Sequence, residues 1–314
     1  MRFNFRLGMS YWNVILGKRG AGVLIGCLLL AGCASVSVPR QPADVPVAPV
    51  ALPRHVPKVG LALGGGAARG FAHVGVIQVL EEAGIRPDFV VGTSAGSLVA
   101  AIYASGKSGA QLQLIAEGME EAMLTDWTLP IFSRGVLRGE ALARYVNTQV
   151  SGRLIEAMVI PLGIVATDLG SGDGILFRRG DTGSAVRASS AVPSVFQPVR
   201  IGLREYVDGG LVAPVPVRYA REMGADLVIA VDISNGPEGN IADGALQVVV
   251  QTFSIMGKSI SAYELRDADV VVRPALVGVR SSDFGARRRS IEAGRAAMLA
   301  ALPLFKARLA SLGH

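Results

Sequence analysis

The apolar run Phe89-Val90-Val91 ends in Gly92-Thr93-Ser94-Ala95-Gly96, and a helix-like stretch over 98–104 follows at once. A serine between two glycines, where a strand turns into a helix, presents a hydroxyl nucleophile at a sharp, strained bend. The outer glycines let the backbone turn tightly and leave room for a substrate. In a chain with 39 glycines the pattern alone is a modest signal, but here it occurs once, and in the strand-turn-helix context that it requires.

A second glycine turn lies upstream. Residues 58–63 read as a buried strand, followed by Gly64-Gly65-Gly66-Ala67-Ala68-Arg69-Gly70 and a helical stretch reaching Glu82. Such a turn bares unpaired backbone N–H groups at the positive end of a helix dipole. It can cradle a phosphate or stabilise the oxyanion of acyl transfer. Dinucleotide spacing fails because Ala67 stands two places after Gly65, and no Gly-Lys-Ser/Thr follows for a P-loop. A nucleotide-binding α/β protein is therefore the weaker reading, and an oxyanion hole from Gly65, Gly66 and Ala67 the better one.

A base for the serine emerges by elimination. The chain has three histidines: His55 in a proline-rich stretch, His314 at the end, and His73 among Phe71, Ala72 and Val74, where a packed helix residue is expected. A Ser-His-Asp triad is hard to assemble from these, and a carboxylate acting directly on the serine is the substitute. Of the Asp-Gly pairs, Asp173 lies in a polar hairpin-type turn and Asp243 precedes a helical run as an N-cap. Asp208 ends the strand-like Glu205-Tyr206-Val207 and meets Gly209-Gly210, which makes it the candidate base.

These motifs, in this order and at these separations, resemble the patatin-like phospholipase family, in particular its bacterial branch related to the catalytic domain of neuropathy target esterase. The similarity covers about residues 58–274 and includes Thr167-Asp168-Leu169 and Ala188-Ser189-Ser190-Ala191-Val192-Pro193, with Phe196 and Pro198 after them. The resemblance implies a three-layer α/β fold, a Ser-Asp dyad of Ser94 and Asp208, and an oxyanion hole from the glycine loop. It implies hydrolysis of acyl esters of phospholipids, lysophospholipids or neutral lipids with no metal or other cofactor. A catalytically silent lipoprotein that binds lipid or a partner through a retained fold is the alternative. The family usually has glycine where this chain has Ala67, and often asparagine at the place of Ala213. If Ala67 needs a positive φ, alanine there costs about 1 kcal/mol or more. Arg69, beside the loop, suits either a phosphate headgroup or a structural ion pair. Asp168 suits a turn.

The N-terminal part bears on location. Residues 1–20 carry Arg2, Arg6, Lys18 and Arg19 and no acid, and 21–31 is an apolar run too short to span a bilayer but suited to a signal peptide. It ends Leu30-Ala31-Gly32-Cys33, which resembles a bacterial lipobox, implying cleavage before Cys33 and lipidation of its sulfur. Ala34 after the cysteine implies, by the same resemblance, an outer-membrane lipoprotein facing the periplasm of the bacterial cell envelope. Removing residues 1–32 takes away four basic residues and no acidic one, leaving +2 of the formal +6, so the charge supports no nucleic-acid partner. Residues 33–57 are proline-rich and read as a tether between anchor and enzyme.

Beyond the tether, apolar runs at 59–63, 89–91, 159–166, 227–232 and 269–273 alternate with helix-like segments, which argues α/β with a mainly parallel sheet. Residues 111–123 read as a helix. The segment 124–138, with Trp127, Leu129, Ile131 and Phe132, reads as irregular, either an apolar lip over the site or ordinary core. A basic amphipathic helix over 286–312 suits anionic lipid or solvent. The chain divides as leader 1–32, tether 33–57, catalytic domain 58–274 and helical extension 275–314.

Overall fold

A computed structural model describes residues 56–124, 126, 134–234 and 244–312. The leader, Cys33, the tether up to residue 55, the apolar segment from Trp127 to Phe132, Asp243 and His314 lie outside the described residues.

In chain order the elements are β1 (Val59–Leu63), α1 (Ala72–Glu82), β2 (Phe89–Thr93), α2 (Ala95–Ala104), α3 (Gly109–Glu117), β3 (Gly135–Leu137), α4 (Glu140–Gln149), β4 (Leu162–Asp168), β5 (Gly174–Phe177) and α5 (Thr182–Ser189). There follow β6 (Ser194–Phe196), β7 (Val199–Ile201), β8 (Arg204–Asp208), α6 (Val217–Glu222), β9 (Leu227–Val231), α7 (Ala245–Glu264), β10 (Val270–Val272) and α8 (Arg287–Leu312). Eight strands form one sheet in the order β10-β9-β1-β2-β4-β8-β7, with β5 also on β4. The five from β10 to β4 are parallel, while β5, β8 and β7 run antiparallel to their neighbours.

The central strands are continuous apolar runs because both faces are covered. On one face Leu61, Leu63, Val90, Ile164, Leu227, Ile229 and Val231 meet α1, α2 and α8; on the other, Ala62, Val91, Val165, Val228 and Ala230 meet α6 and the residues leading into it. Helices on both faces of a mainly parallel sheet are the α/β fold that the alternation of runs predicts.

Two boundaries differ from the expectation. The helix of 111–123 begins at Gly109, because Ser108 and Gln111 form a reciprocal capping box, and it stops at Glu117 before a separate turn, Glu121–Met123. The strand of 159–166 begins only at Leu162, because the amides of Val159 and Ile160 cap the end of α2 at the carbonyl of Ala104.

Helix α8 lies directly on α1. A Cβ at Gly75 would fall 1.9 Å from the Ile291 carbonyl oxygen, and one at Gly294 would fall 1.9 Å from that of Ala72, so the two backbones touch where neither residue has a side chain. Ile291, Met298 and Phe305 are buried in the main core. Of its basic residues, Arg295 pairs with Glu82 at 2.8 Å and Arg287 donates to the Glu117 carbonyl at 2.6 Å.

One register detail positions everything that follows. Ile164 and Val165 of β4 pair with β2 on one edge and β5 on the other; Ala166 and Thr167 pair with β5 and, in place of β2, with β8. Strand β8 thus occupies the lane along β4 that β2 vacates. Because it runs antiparallel to β4, it meets β2 head-on.

Candidate active site

Ser94 directly follows β2 and Asp208 ends β8, so the head-on junction brings them together. Thr93 pairs with Val165 and Asp208 with Ala166, the next residue of β4. The Ser94 side chain acts on the Asp208 carboxyl, favouring its charged form.

Ser94 has φ +53° and ψ −123°, a conformation that costs a non-glycine residue about 1–3 kcal/mol and persists only where its surroundings enforce it. They do so from both sides. Its amide donates to Ser189 Oγ at 2.9 Å, and its carbonyl accepts from Ser97 N at 2.8 Å and Ser97 Oγ at 2.6 Å. The flanking glycines are demanded by contact: a Cβ at Gly96 would lie 2.1 Å from the Leu63 carbonyl oxygen, and one at Gly92 would lie 2.5 Å from that of Gly96. Helix α2 can therefore start hard against β1, aiming the serine outward.

Asp208 is fixed along its whole length. Its amide donates to the Ala191 carbonyl at 3.0 Å, its own carbonyl accepts from Thr167 Oγ1 at 2.8 Å, and its Oδ1 accepts from Gly210 N at 2.7 Å. The residue is buried. Burial pushes its carboxyl up to about 6, against the opposing pull of the bonds from Gly210 and Ser94.

The glycine turn lies beside the serine: a Cβ at Gly65 would come within 3.1 Å of Ser94 Cβ. Its three expected donors part company here. The Gly65 amide is already committed to the Pro214 carbonyl at 2.9 Å, so Gly65 serves by its missing side chain rather than as a donor. The amides of Gly66 and Ala67 have no acceptor among the described residues. Ala67 does adopt a positive φ, +50°, so the cost anticipated for alanine is present. Ala213, the other departure, is buried, and its carbonyl accepts from Thr93 Oγ1 at 2.8 Å.

The remaining expected residues hold scaffolding. His73 is fully buried and donates Nε2–H to the Gly64 carbonyl at 2.8 Å, which fixes the tautomer and leaves Nδ1 without a partner. Desolvation pushes it down to about 4, so the ring is neutral. The half-buried Arg69 bonds the Gly66 carbonyl through its amide and through Nε, each at 3.2 Å; desolvation lowers its pKa, and the charge of Asp232 works the other way. Asp168 holds the β4–β5 turn, accepting from Gly170 and Ser171 amides and pairing with Arg204 at 3.1 Å, and Asp173 sits in that same hairpin turn. Ser189 and Thr167 hold the backbones of Ser94 and Asp208. Ser189 Oγ bridges Ser94 N and the Val165 carbonyl, and nothing in a lone buried serine announces that bridge.

Residues 61–221 match the family model described as patatin-like phospholipase, spanning the glycine turn, Ser94 and Asp208. The chain belongs to that family. It is 35% identical over 206 residues to an NTE family protein of Mycobacterium tuberculosis, which covers 66% of this chain and 57% of that one. It is 32% identical over 192 residues to mouse patatin-like phospholipase domain-containing protein 6, covering 59% of this chain and 14% of the relative. The chain thus spans little more than half of the first curated relative, and far less of the second. Among solved structures, VipD from Legionella pneumophila shares the fold, with a TM-score of 0.56 at 15% identity over 79% of this chain and 67% of that one.

Proposed function

We propose that this chain is a lipid acyl hydrolase of the phospholipase A or lysophospholipase type, with Ser94 as nucleophile and Asp208 as base, held at a membrane by lipid on Cys33. The observation that carries the reading is the head-on junction of β2 and β8, which sets a strained serine beside a buried carboxylate. Membership of a phospholipase family supports a lipid ester as substrate. The leader and Cys33 support the anchor from sequence.

The steps follow from the groups present. Ser94 Oγ attacks the ester carbonyl as its proton passes to Asp208, and the carbonyl oxygen becomes an oxyanion. The open amides of Gly66 and Ala67 are the donors for it, and each such donor is typically worth about 3 kcal/mol in the transition state. Collapse expels the alcohol, which takes the proton from Asp208 and leaves an acyl-serine. Water then gives a proton to Asp208 as it attacks; the acyl–Oγ bond breaks, the proton returns to Oγ, and the fatty acid leaves. A carboxyl raised to about 6 is a better base than an ordinary aspartate and is still mostly ionised at pH 7. Arg69 adds positive charge beside the loop for a phosphate headgroup.

A fluorophosphonate probe tests the assignment. Ser94 should carry the label, Ser94→Ala should carry none, and Asp208→Asn should be labelled about a hundredfold more slowly or worse. A label on another residue, or undiminished labelling of Asp208→Asn, refutes it.

A further inference from the structure

Helix α7 is unlike the other long helix. From residue 245 to 263 it contains no carboxylate and a single charge, Lys258. Yet it is the element with the most exposed apolar side chains: Val248, Val249, Ile255, Met256 and Tyr263 are all exposed, Met256 by 53%. Positions 248, 252, 255, 256, 259 and 263 follow the i, i+4, i+7, i+8 spacing of one helix face. Two of its hydroxyls turn inward on its own backbone: Thr252 Oγ1 donates to the Val248 carbonyl and Ser254 Oγ to that of Val250. These hydroxyls need no water, which suits an apolar medium. By contrast, α8 of similar exposure carries Arg288, Arg289, Glu292, Lys306 and Arg308.

The inner side of α7 abuts the candidate site. It packs on the turn Gly209–Leu211, which follows Asp208 directly, and on β6. Gly257 faces Pro214, whose carbonyl holds the Gly65 amide: a Cβ at 257 would lie 3.6 Å from Pro214 Cγ. Gly257 lies nine residues from Val248, about half a turn around the helix axis, so the stripe is on the side of α7 that faces away from this contact.

We propose that the exposed face of α7 is a lipid-surface contact that lies in the headgroup boundary, on the helix that flanks the Ser94–Asp208 site. This rests on the hydrolase reading of that site. No described helix is long and apolar enough to cross a membrane, so α7 lies along the surface, immersing one face. The absence of carboxylates removes repulsion from anionic headgroups. A second copy of the chain is the poorer occupant: one row of half-exposed side chains falls well short of the roughly 800 Å² per partner that a standard interface takes.

The test places an environment-sensitive NBD label, one site at a time, at Ile255→Cys, Met256→Cys and, as control, Leu299→Cys on α8, where exposure is nearly the same at 52%. The full chain is used with Cys27→Ser and Cys33→Ser, so that each new thiol is unique. With mixed phosphatidylethanolamine and phosphatidylglycerol vesicles, labels at 255 and 256 should shift to the blue and be quenched by shallow acyl-chain nitroxides, while that at 299 stays in water. Labels at 255 and 256 that remain in water while the protein floats with vesicles overturn the proposal. So does equal insertion at 299, or a blue shift that needs only higher protein concentration, which marks self-association. Fluorophosphonate labelling of the same samples separates the two readings. A labelled Ser94 with unmoved α7 probes sinks the surface alone, and inserted probes with an unlabelled Ser94 sink the hydrolase and leave a lipid-binding face.

Discussion

At the scale of single residues, Asp208 and His73 are both buried ionisable groups, and burial drives them in opposite directions. Asp208 is raised from 3.8 to about 6 and His73 lowered from 6.5 to about 4. Folded Asp208 holds its proton more tightly than the unfolded chain does, so its contribution to stability falls as pH rises from about 4 through about 6. A rise of that size corresponds to about 3 kcal/mol. Folded His73 resists its proton, so its contribution is intact above 6.5 and is lost as pH falls towards about 4. The two slopes oppose each other in the same window. Asp208→Asn removes only the first, so the variant should exceed wild type by about 3 kcal/mol at pH 8, match it near pH 4, and lose stability more steeply on acidification. Urea unfolding at three pH values reads this. The same carboxyl must be ionised to act as base, so kcat/KM on a soluble ester should rise with pH along a limb centred at about 6. A limb at the ordinary aspartate value removes the burial argument. Ser94 and Asp208 were legible in the sequence because each follows a strand-like segment and lies beside glycines, a local signature. The bridge through Ser189 Oγ, the clamp from Thr167 and the committed Gly65 amide were not, because each depends on which strand lies beside β4.

At the scale of elements, long apolar runs gave themselves away: β1, β2 and β9 are buried on both faces and need no alternation to be recognised. Strand β8 was read over 205–207, but β3, β5, β6 and β7 were hidden, since strands of three or four residues are too short to show a period. Even β4 was placed three residues early, because Val159 and Ile160 are apolar yet serve to cap a helix. The seam between α1 and α8 shows what spacing alone does not reveal. Gly75 and Gly294 look like weak points in helices, but each lets a backbone carbonyl of the partner helix approach. Gly294→Ala should therefore separate the helices and cost about 3 kcal/mol, whereas Leu299→Ala, on the exposed side of the same helix, should stay within about 0.5 kcal/mol. Denaturant midpoints compare them directly. Equal, small effects contradict the close crossing.

At the scale of the whole molecule, two features proposed here bear on attachment: lipid on Cys33 and the apolar face of α7. The first is expected to dominate, since covalently attached acyl chains add about 0.8 kcal/mol for each buried CH₂ and two or more hold firmly. Cys33→Ser should therefore release the chain from membranes washed with carbonate; if it still fractionates with them, the anchor is elsewhere. The head-on meeting of β2 and β8 has a consequence for how such a protein comes into being. The hydroxyl and the carboxylate lie far apart along the chain and share no local segment; β4, paired along both halves of one edge, holds them in line. A molecule with β2 in place and β8 undocked carries the serine bend and lacks its proton acceptor. On the proposed function, ester cleavage therefore requires that β2 and β8 have both docked on β4, and a chain surrounded by lipid stays inert until then.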